Sequence, residues 1–361
     1  MQAGRGTWVR GLCQRSHPYF AAFADTLPRW FVELGGNRRM LTDLTSSDDV
    51  EFWAGRWELT AARLFSNLGF KIDFEPRVQS TVEGSQPKTP DFRATEHELR
   101  PLVEVFNLNP SNAEGNEDVQ YRRLSGDLAS RLRLSKTGML SLRLYPGASL
   151  TPCPDTALID EAATSIQAWW DAGHGVPLRL SDQPLQIDGH WMDSNDSLVV
   201  IVTPPARILT PDRVRTRLET KLGSYKNLAG EQLVLFVGTD YWTHSASTLV
   251  TAMFGESRMP LAEDADGNLV AGPEVFSGEG LMTEHEVAGH PGAKLVAGCM
   301  FVRHGLFNDR AGSWEIHPQF IHNPWAEQPL PNGLFHPIPE YQAVDGDMRW
   351  TTEDSVAIVM T

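Results

Sequence analysis

Cysteine is scarce in this chain, and long apolar runs are absent. The three cysteines, Cys13, Cys153 and Cys299, are far apart, and no Cys-x-x-Cys pair or Cys/His zinc spacing occurs. We therefore expect neither a disulfide framework nor a zinc fold, and a reducing, cytoplasmic location. No run of about 18 apolar residues is found, and the N-terminal stretch lacks an apolar segment of signal-peptide length. These absences predict a soluble protein that does not cross a membrane.

Positive charge is also in deficit. Lys and Arg number 31 against 46 Asp and Glu, which gives a formal net charge of -15. A protein that coats nucleic acid through bulk charge is basic. Any contact between this chain and nucleic acid therefore has to come from local basic patches.

Several familiar catalytic signatures are missing. The segment "HEVAGH" places His285 and His290 five residues apart, whereas a zinc-protease helix needs two histidines four apart. Gly289 and Pro291 also break any helix there. No Gly-x-Ser-x-Gly elbow occurs, and the glycine-containing segments lack the P-loop lysine and the Rossmann spacing. An enzyme of unrelated chemistry, using the histidines of the C-terminal part, stays open as a further alternative.

The apolar pattern predicts helices and strands in mixed order. Apolar residues at helical spacing, after a Ser/Asp cluster suited to capping, predict a helix from about 48 to 68. The segments "FKIDFEP", "DFRAT" and "PLVEVFNL" read as strands, with a turn expected at 79–88. Later, "TPDRVRTRLETKLGSYKNL" has a helix-entry signal and leads into the apolar strand "EQLVLFVGTD". This order predicts the α/β class.

Two carboxylates stand on neighbouring predicted strands. Asp91 in "TPDF" opens one strand and Glu104 in "LVEVF" lies in the next, so a hairpin could bring them together. Burial of an unpaired carboxylate in such an apolar strand is costly, and a metal ion or a basic partner would relieve the cost. Mg²⁺ takes one or two carboxylates together with phosphate oxygens. Glu58, on the preceding helix, is a third candidate, although Asp91 could instead cap a turn and Glu58 could be a surface charge.

These residues carry a family resemblance. The segments "WELTAARLFSNLGFKIDFEP", "TPDF" and "LVEVFNLNP" resemble the PD-(D/E)XK, or restriction-endonuclease-like, nuclease superfamily. In that superfamily a helix with a glutamate precedes strands that carry Pro-Asp and Glu-x-Lys. Here Glu58 matches the helix glutamate, Pro90-Asp91 the Pro-Asp pair and Glu104 the motif carboxylate, while Phe106 falls at the lysine position.

The resemblance implies a fold and an activity. The fold would be a restriction-endonuclease-like core, a mixed central sheet flanked by helices, over residues 46–240 with an insertion near 110–205. Residues 1–45 have no assigned role, and residues 240–361 would be a C-terminal extension or a small appended domain, with a proline-rich tail that wraps the surface. The implied activity is Mg²⁺- or Mn²⁺-dependent hydrolysis of DNA phosphodiester bonds, in defence or phage–host conflict. Asp91 and Glu104 would hold the metal, with Glu58 assisting.

The missing lysine is the main departure from the family pattern. Residues 104 and 106 of a strand point to the same face, but Phe106 neither orients water nor offsets phosphate charge. A lysine could reach in from elsewhere, and Lys221 and Lys226 on the later predicted helix are the candidates, with Arg217 behind them. Alternatively the site is degenerate and the chain is a binding or scaffold protein with a protein partner, or the motif is misread.

Two basic runs could supply local patches for nucleic acid. The first contains Arg122 and Arg123, and the second contains Arg213 and Arg217. Segregated basic residues in an acidic protein could make a phosphate-binding stripe for DNA. The alternative is a pair of solvated amphipathic helices.

Overall fold

The structure is a computed structural model in which two compact units can be described. It describes residues 18–46, 48–78, 89–108, 112–134, 138–144, 155–174, 176–180, 185–193, 198–203, 210–222, 225, 230–239, 244–258, 261–263, 268–271, 275–282, 292–308, 313–344, 347–352 and 356–360. Pro110–Arg207 contains the smaller unit, here called the insertion unit, and the rest of the described chain is the main unit. Within these ranges no helix has the length and apolar character of a membrane span.

The elements of the two units have the following bounds. The helices of the main unit are α1 (Pro18–Leu34), α2 (Arg38–Leu44), α3 (Asp49–Asn67), α6 (Pro211–Leu222), α7 (Ala246–Phe254) and α8 (Gly292–Leu295). Its sheet strands are β1 (Lys71–Phe74), β2 (Phe92–Thr95), β3 (Leu102–Asn107), β8 (Leu233–Thr239), β13 (Val296–Asn308), β14 (Ser313–His322), β15 (Glu340–Val344), β16 (Asp347–Trp350) and β17 (Ile358–Met360). Two small pairs join β9 (Ser257–Arg258) to β12 (Val275–Phe276) and β10 (Leu261–Glu263) to β11 (Leu269–Ala271).

A large mixed sheet forms the centre of the main unit. Its strand order is β1-β2-β3-β8-β13-β14-β15-β16, and β17 pairs with β14. The first three strands form an antiparallel meander, whereas β3, β8 and β13 are parallel. Every residue of β8 is buried, as expected of a parallel strand covered on both faces. The prediction of an α/β protein with a mixed sheet flanked by helices is confirmed at this level.

Side chains of the sheet alternate between two cores. From β8, Phe236 packs in one core with Trp57 of α3, whereas Leu235 packs in the other with Leu218 of α6. Helix α3 begins close to its predicted start because the Asp48 side chain caps its first turn. Helices on both faces therefore bring side chains toward β3 from two sides.

The insertion unit has a sheet and a core of its own. It contains α4 (Asn112–Arg131), β4 (Gly138–Leu144), α5 (Thr156–Asp171), β5 (Leu178–Leu180), β6 (Ile187–Asp193) and β7 (Leu198–Thr203). The strand order is β5-β6-β4-β7, with β4 antiparallel to β6 and parallel to β7. Asp155 caps α5, as its position before the helix suggests. The buried apolar residues of these elements form one cluster.

Both ends of the described chain contribute to the main unit. Residues 240–361 belong to the main unit and supply β13 to β17 of its sheet. The proline-rich tail is not a surface wrapping, because Phe320 and Phe335 in it are fully buried and Pro318 lies within β14. The alternation of large apolar residues on β14 outweighs the proline there. The N-terminal residues form α1 and α2, while the turn expected at 79–88 lies outside the described residues.

Candidate active site

Glu104 lies in the middle of β3 with its carboxylate buried. Side chains alternate along the strand, so Glu104 shares a face with Phe106, which packs in the same core as α6. Only 3% of the Glu104 side chain is exposed. Burial, and then the negative charge of Asp91, raise the pKa of Glu104, while Lys221 and Tyr225 oppose that rise. Positive charge and hydrogen-bond donors are therefore needed around this carboxylate.

Lys221 brings positive charge to Glu104. It lies in the last turn of α6, whose apolar side packs into the core that contains the Glu104 face of β3. Its Nζ forms an ion pair with Glu104 Oε1 and donates a hydrogen bond to the Val105 carbonyl oxygen at 3.0 Å. The same nitrogen lies 4.0 Å from Asp91 Oδ2. The Lys221 ammonium group thus lies close to oxygen atoms of Glu104, Val105 and Asp91.

Phe106, at the position where the resemblance would place a lysine, contacts Lys221. The Lys221 Nζ lies 4.8 Å from the centre of the Phe106 ring, within the range of a cation–π interaction. The Phe106 ring on β3 therefore contacts the ammonium group of a lysine on α6.

Asp91 is held directly against β3. Phe92 pairs with Val103, which places Asp91 opposite Glu104. Asp91 Oδ2 accepts a hydrogen bond from the Val105 N–H at 2.8 Å. This bond joins the Asp91 side chain to β3 rather than to a turn of its own.

Glu58 and Asp91 share one guanidinium group. The Nη2 of Arg39, on α2, lies 2.7 Å from Glu58 Oε2 and 3.0 Å from Asp91 Oδ1. The Nε of Arg39 lies 2.8 Å from Glu75 Oε1. Arg39 is thus fixed by three carboxylates, although 45% of its side chain remains exposed.

Glu58 is a buried residue of α3 rather than a surface charge. Only 4% of the residue is exposed, and its Oε1 has no hydrogen-bond partner among the described residues. Burial, and then the charge of Asp91, raise the pKa of Glu58 to about 8, while Arg39 opposes the rise. Close to neutral pH, this carboxyl group therefore changes its protonation state.

Tyr225 completes the surroundings of Glu104. Its hydroxyl donates a hydrogen bond to Glu104 Oε2 at 2.6 Å. Burial and the neighbouring Glu104 carboxylate raise the pKa of Tyr225 above its ordinary value. The phenol therefore remains protonated and acts as a donor.

The described part of the chain does not show the remaining predicted residues at this site. Lys226, the side chain of Arg122, and His285 with His290 lie outside the described residues. Arg123 belongs to the insertion unit and pairs with Asp127 at 3.6 Å. Arg213 and Arg217 lie on α6, half-buried, in the turns before Lys221.

Arg213 also affects a histidine of the main unit. Burial, and then the charge of Arg213, lower the pKa of His244 to about 4.

The oxygen atoms of the cluster are of the kind that a divalent cation prefers as ligands. Mg²⁺ prefers oxygen ligands and takes one or two carboxylates, with other positions left to water and substrate phosphate. Asp91, Glu104 and the Val105 carbonyl provide such oxygens around the Lys221 ammonium. Arg39 and Lys221 carry two positive charges at this cluster. The carboxylates paired with them, when all are ionised, carry four negative charges, which leaves an excess of two: Glu58, Glu75, Asp91 and Glu104. Among the described residues, however, no group of three or more His, Cys, Asp and Glu side chains is arranged to hold a metal by itself.

The fold and the site together define an α/β protein with a buried acidic cluster that Arg39 and Lys221 partly neutralise. Comparisons with protein-family models, with curated proteins and with solved structures gave no match.

Three participants were missed in the sequence. Arg39 and Glu75 carry no motif, and Arg39 reaches Asp91 across 52 residues of chain. Tyr225 lies three residues beyond the end of α6, so helical spacing does not point to it.

Proposed function

We propose that this chain is a metal-dependent nuclease that hydrolyses DNA phosphodiester bonds. One observation carries the proposal: Lys221 approaches Glu104, Asp91 and the Val105 carbonyl from α6. A nuclease of the family that the sequence resembles has a lysine beside its motif carboxylates. In this chain Phe106 stands in that position, and Lys221 provides the ammonium group from a different element.

The order of elements supports the same proposal. Helix α3 carries Glu58, the antiparallel strands β1 to β3 carry Asp91 and Glu104, and α6 precedes the parallel strand β8. This is the succession that the resemblance implies for the glutamate helix, the Pro-Asp strand and the Glu strand. The insertion unit lies in the chain between β3 and α6.

Each residue has a distinct role in the proposal. Asp91, Glu104 and the Val105 carbonyl would hold Mg²⁺ or Mn²⁺, and Glu58 would assist from α3. When bound, such a metal would lower the pKa of a water molecule and offset phosphate charge. Lys221 would orient the attacking water and stabilise the negative charge that develops on the phosphate oxygens. Asp91 keeps its orientation through the Val105 N–H and Arg39.

Contacts with DNA would depend on local basic residues, since the chain as a whole carries a net charge of -15. Arg213 and Arg217 lie on helix α6, as Lys221 does. These two arginines therefore belong to the same unit as the candidate site, and we propose that they contact DNA there. Arg122 and Arg123 belong to the insertion unit and would bind DNA there.

A second candidate function is a non-catalytic binding or scaffold role with a protein partner. The observation that favours it is the internal pairing of the acidic cluster. Both oxygens of Asp91 and both oxygens of Glu104 already have a donor or a basic partner within the protein. Such a network pairs its carboxylates without a metal ion, and a degenerate site would keep it.

Cleavage of supercoiled plasmid and of single-stranded DNA distinguishes the two candidates. We expect the wild type to cut with Mg²⁺ or Mn²⁺ and to stop in EDTA. Loss of a group that only orients a metal ligand typically lowers activity by about 10–100-fold. Glu104→Gln alters a proposed ligand itself and should lower the cleavage rate by more than that. Glu98→Gln, an exposed carboxylate in the turn before β3, is the matched control and should cut like the wild type. A wild type that cuts neither substrate with either metal would favour the scaffold role.

A further inference from the structure

Tyr225 follows α6 in the chain and lies beside Glu104. The Tyr225 N–H donates a hydrogen bond to the Leu222 carbonyl at 2.8 Å, which ties Tyr225 to the last residue of the helix. The Tyr225 ring is buried in the core that also contains Phe106 and Leu222. Packing therefore fixes the ring, and the hydroxyl at its end meets Glu104 Oε2 at 2.6 Å.

The two oxygens of Glu104 have different partners. Oε1 is paired with the Lys221 ammonium, whereas Oε2 accepts the Tyr225 hydrogen bond. Rotation about the last carbon–carbon bond of a glutamate has broad minima, so the carboxylate plane needs external contacts to hold it. Tyr225 and Lys221 come from one short segment and together hold that plane. Without the hydroxyl, Oε2 would be buried with one donor fewer, and the carboxylate could turn.

We propose that Tyr225 is a positioning residue, whose hydroxyl holds the Glu104 carboxylate so that Oε1 faces Lys221, Asp91 and a bound divalent cation. This inference rests on the proposed function, since it assigns Glu104 to the metal. Groups that hydrogen-bond to a metal-ligating carboxylate orient it, and their loss weakens metal binding or activity by about 10–100-fold. Tyr225 itself contacts neither metal nor DNA in this role.

The test measures Mn²⁺ binding by the full chain, with the free Mn²⁺ signal in electron paramagnetic resonance as the readout. Wild type is compared with Tyr225→Phe, which removes one hydroxyl and keeps the ring. Tyr341→Phe is the matched control, because Tyr341 is buried in the same core but lies on β15. Near-ultraviolet circular dichroism checks that all three proteins keep their packing.

We expect Tyr225→Phe to bind Mn²⁺ about 10–100-fold more weakly than the wild type, and Tyr341→Phe to match the wild type. In DNA cleavage, kcat of Tyr225→Phe at low Mn²⁺ should fall by a similar factor while KM for DNA stays unchanged. Excess Mn²⁺ should restore part of the lost rate, since the defect lies in holding the metal ligand. A purely structural loss would not be rescued in this way.

Three results would overturn the inference. Equal Mn²⁺ affinity for wild type and Tyr225→Phe would remove the positioning role and leave the proposed function standing. An equal loss in Tyr225→Phe and Tyr341→Phe would assign the effect to core packing. A wild type that binds no Mn²⁺ would overturn the inference together with the proposed function.

Discussion

At the scale of single residues, two basic side chains hold three buried carboxylates in one place. Arg39 binds Glu58 and Asp91, and Lys221 binds Glu104. Asp91 lies between the two cations, at 3.0 Å from the Arg39 Nη2 and 4.0 Å from the Lys221 Nζ. The positive charges offset only part of the cost of burial, because the pKa of Glu58 is still raised to about 8. Between pH 4.5 and about 8, the folded protein therefore holds a proton at Glu58 that the unfolded chain would release.

We predict that Glu58→Gln removes a pH dependence from the stability of the protein. The folded state binds the Glu58 proton more tightly than the unfolded state, whose carboxyl group has the ordinary pKa of 4.5. Relative to the variant, the free energy of unfolding of the wild type should therefore fall as the pH rises from 4.5 to about 8. The fall should be a few kcal/mol at most, since one pKa unit corresponds to about 1.4 kcal/mol.

Urea unfolding at several pH values across this range measures the effect. Glu98→Gln, which removes an exposed carboxylate, should keep the pH profile of the wild type. If the profiles of Glu58→Gln and the wild type run parallel from about pH 5 to pH 9, the raised pKa of Glu58 is contradicted.

Part of the residue-level site could be predicted from the sequence. The cost of a buried carboxylate in an apolar strand predicts a metal ion or a basic partner for Glu104. Lys221 was one of two candidates, with Lys226, for the lysine that the family pattern lacks at Phe106. Arg39 could not be found in this way, because it meets Asp91 through tertiary packing across 52 residues. Tyr225 lies after the end of α6, where helical spacing no longer fixes the direction of a side chain.

At the scale of elements, the site depends on a close approach between α3 and β8. A Cβ atom added to Gly238 of β8 would lie 2.4 Å from the Trp57 ring. Trp57 is fully buried and directly precedes Glu58 on α3. The absence of a side chain at Gly238 therefore lets α3 lie close to the sheet, with Glu58 beside Asp91.

We predict that Gly238→Ala destabilises the protein by about 1–3 kcal/mol, the usual cost of overpacking a core. The added methyl group would push Trp57, and with it Glu58, away from the sheet, so the cleavage rate should fall as well. Gly126→Ala is the control: this helical glycine of α4 has no atom within 4 Å of an added Cβ. That variant should be neutral or slightly more stable, since alanine favours a helix by about 1 kcal/mol over glycine. Equal effects of the two substitutions on denaturant unfolding would contradict the account.

Elements with local signals could be predicted, whereas their pairing could not. The helix expected at 48–68 is present as Asp49–Asn67, because a cap and an apolar spacing define it locally. The C-terminal strands were not assigned to the main sheet from the sequence. β14 pairs with its neighbour in the chain, β13, but β13 joins the main sheet through β8, which lies on the far side of α7 and four short strands. Nothing in β13 itself specifies such a distant partner.

At the scale of the whole molecule, the chain leaves the main unit after β3 and returns before α6. The insertion unit buries its own cluster, to which α4, α5 and strands β4 to β7 contribute. The acidic cluster, Lys221 and Tyr225 all belong to the main unit. The main unit therefore contains the whole candidate site.

We predict that the main unit folds without the insertion unit. Replacement of residues 110–207 by a flexible Gly/Ser linker should leave a cooperative thermal transition within about 5 °C of the wild type. The isolated segment 110–207 should show its own near-ultraviolet circular dichroism signal. Loss of cooperative unfolding in the shortened chain would show that the two cores are not independent.

The most direct test of the account is the initial rate of plasmid cleavage in Mn²⁺ by two variants. The central claim is that Lys221 supplies the positive charge that Phe106 lacks at the motif position. Lys221→Met should lower the rate by at least ~100-fold, as expected when a group that stabilises developing charge is lost. The double variant Lys221→Met/Phe106→Lys should recover part of it, because residue 106 faces the same side of β3 as Glu104. Cleavage by Lys221→Met at the wild-type rate, with circular dichroism confirming that it is folded, would contradict the account.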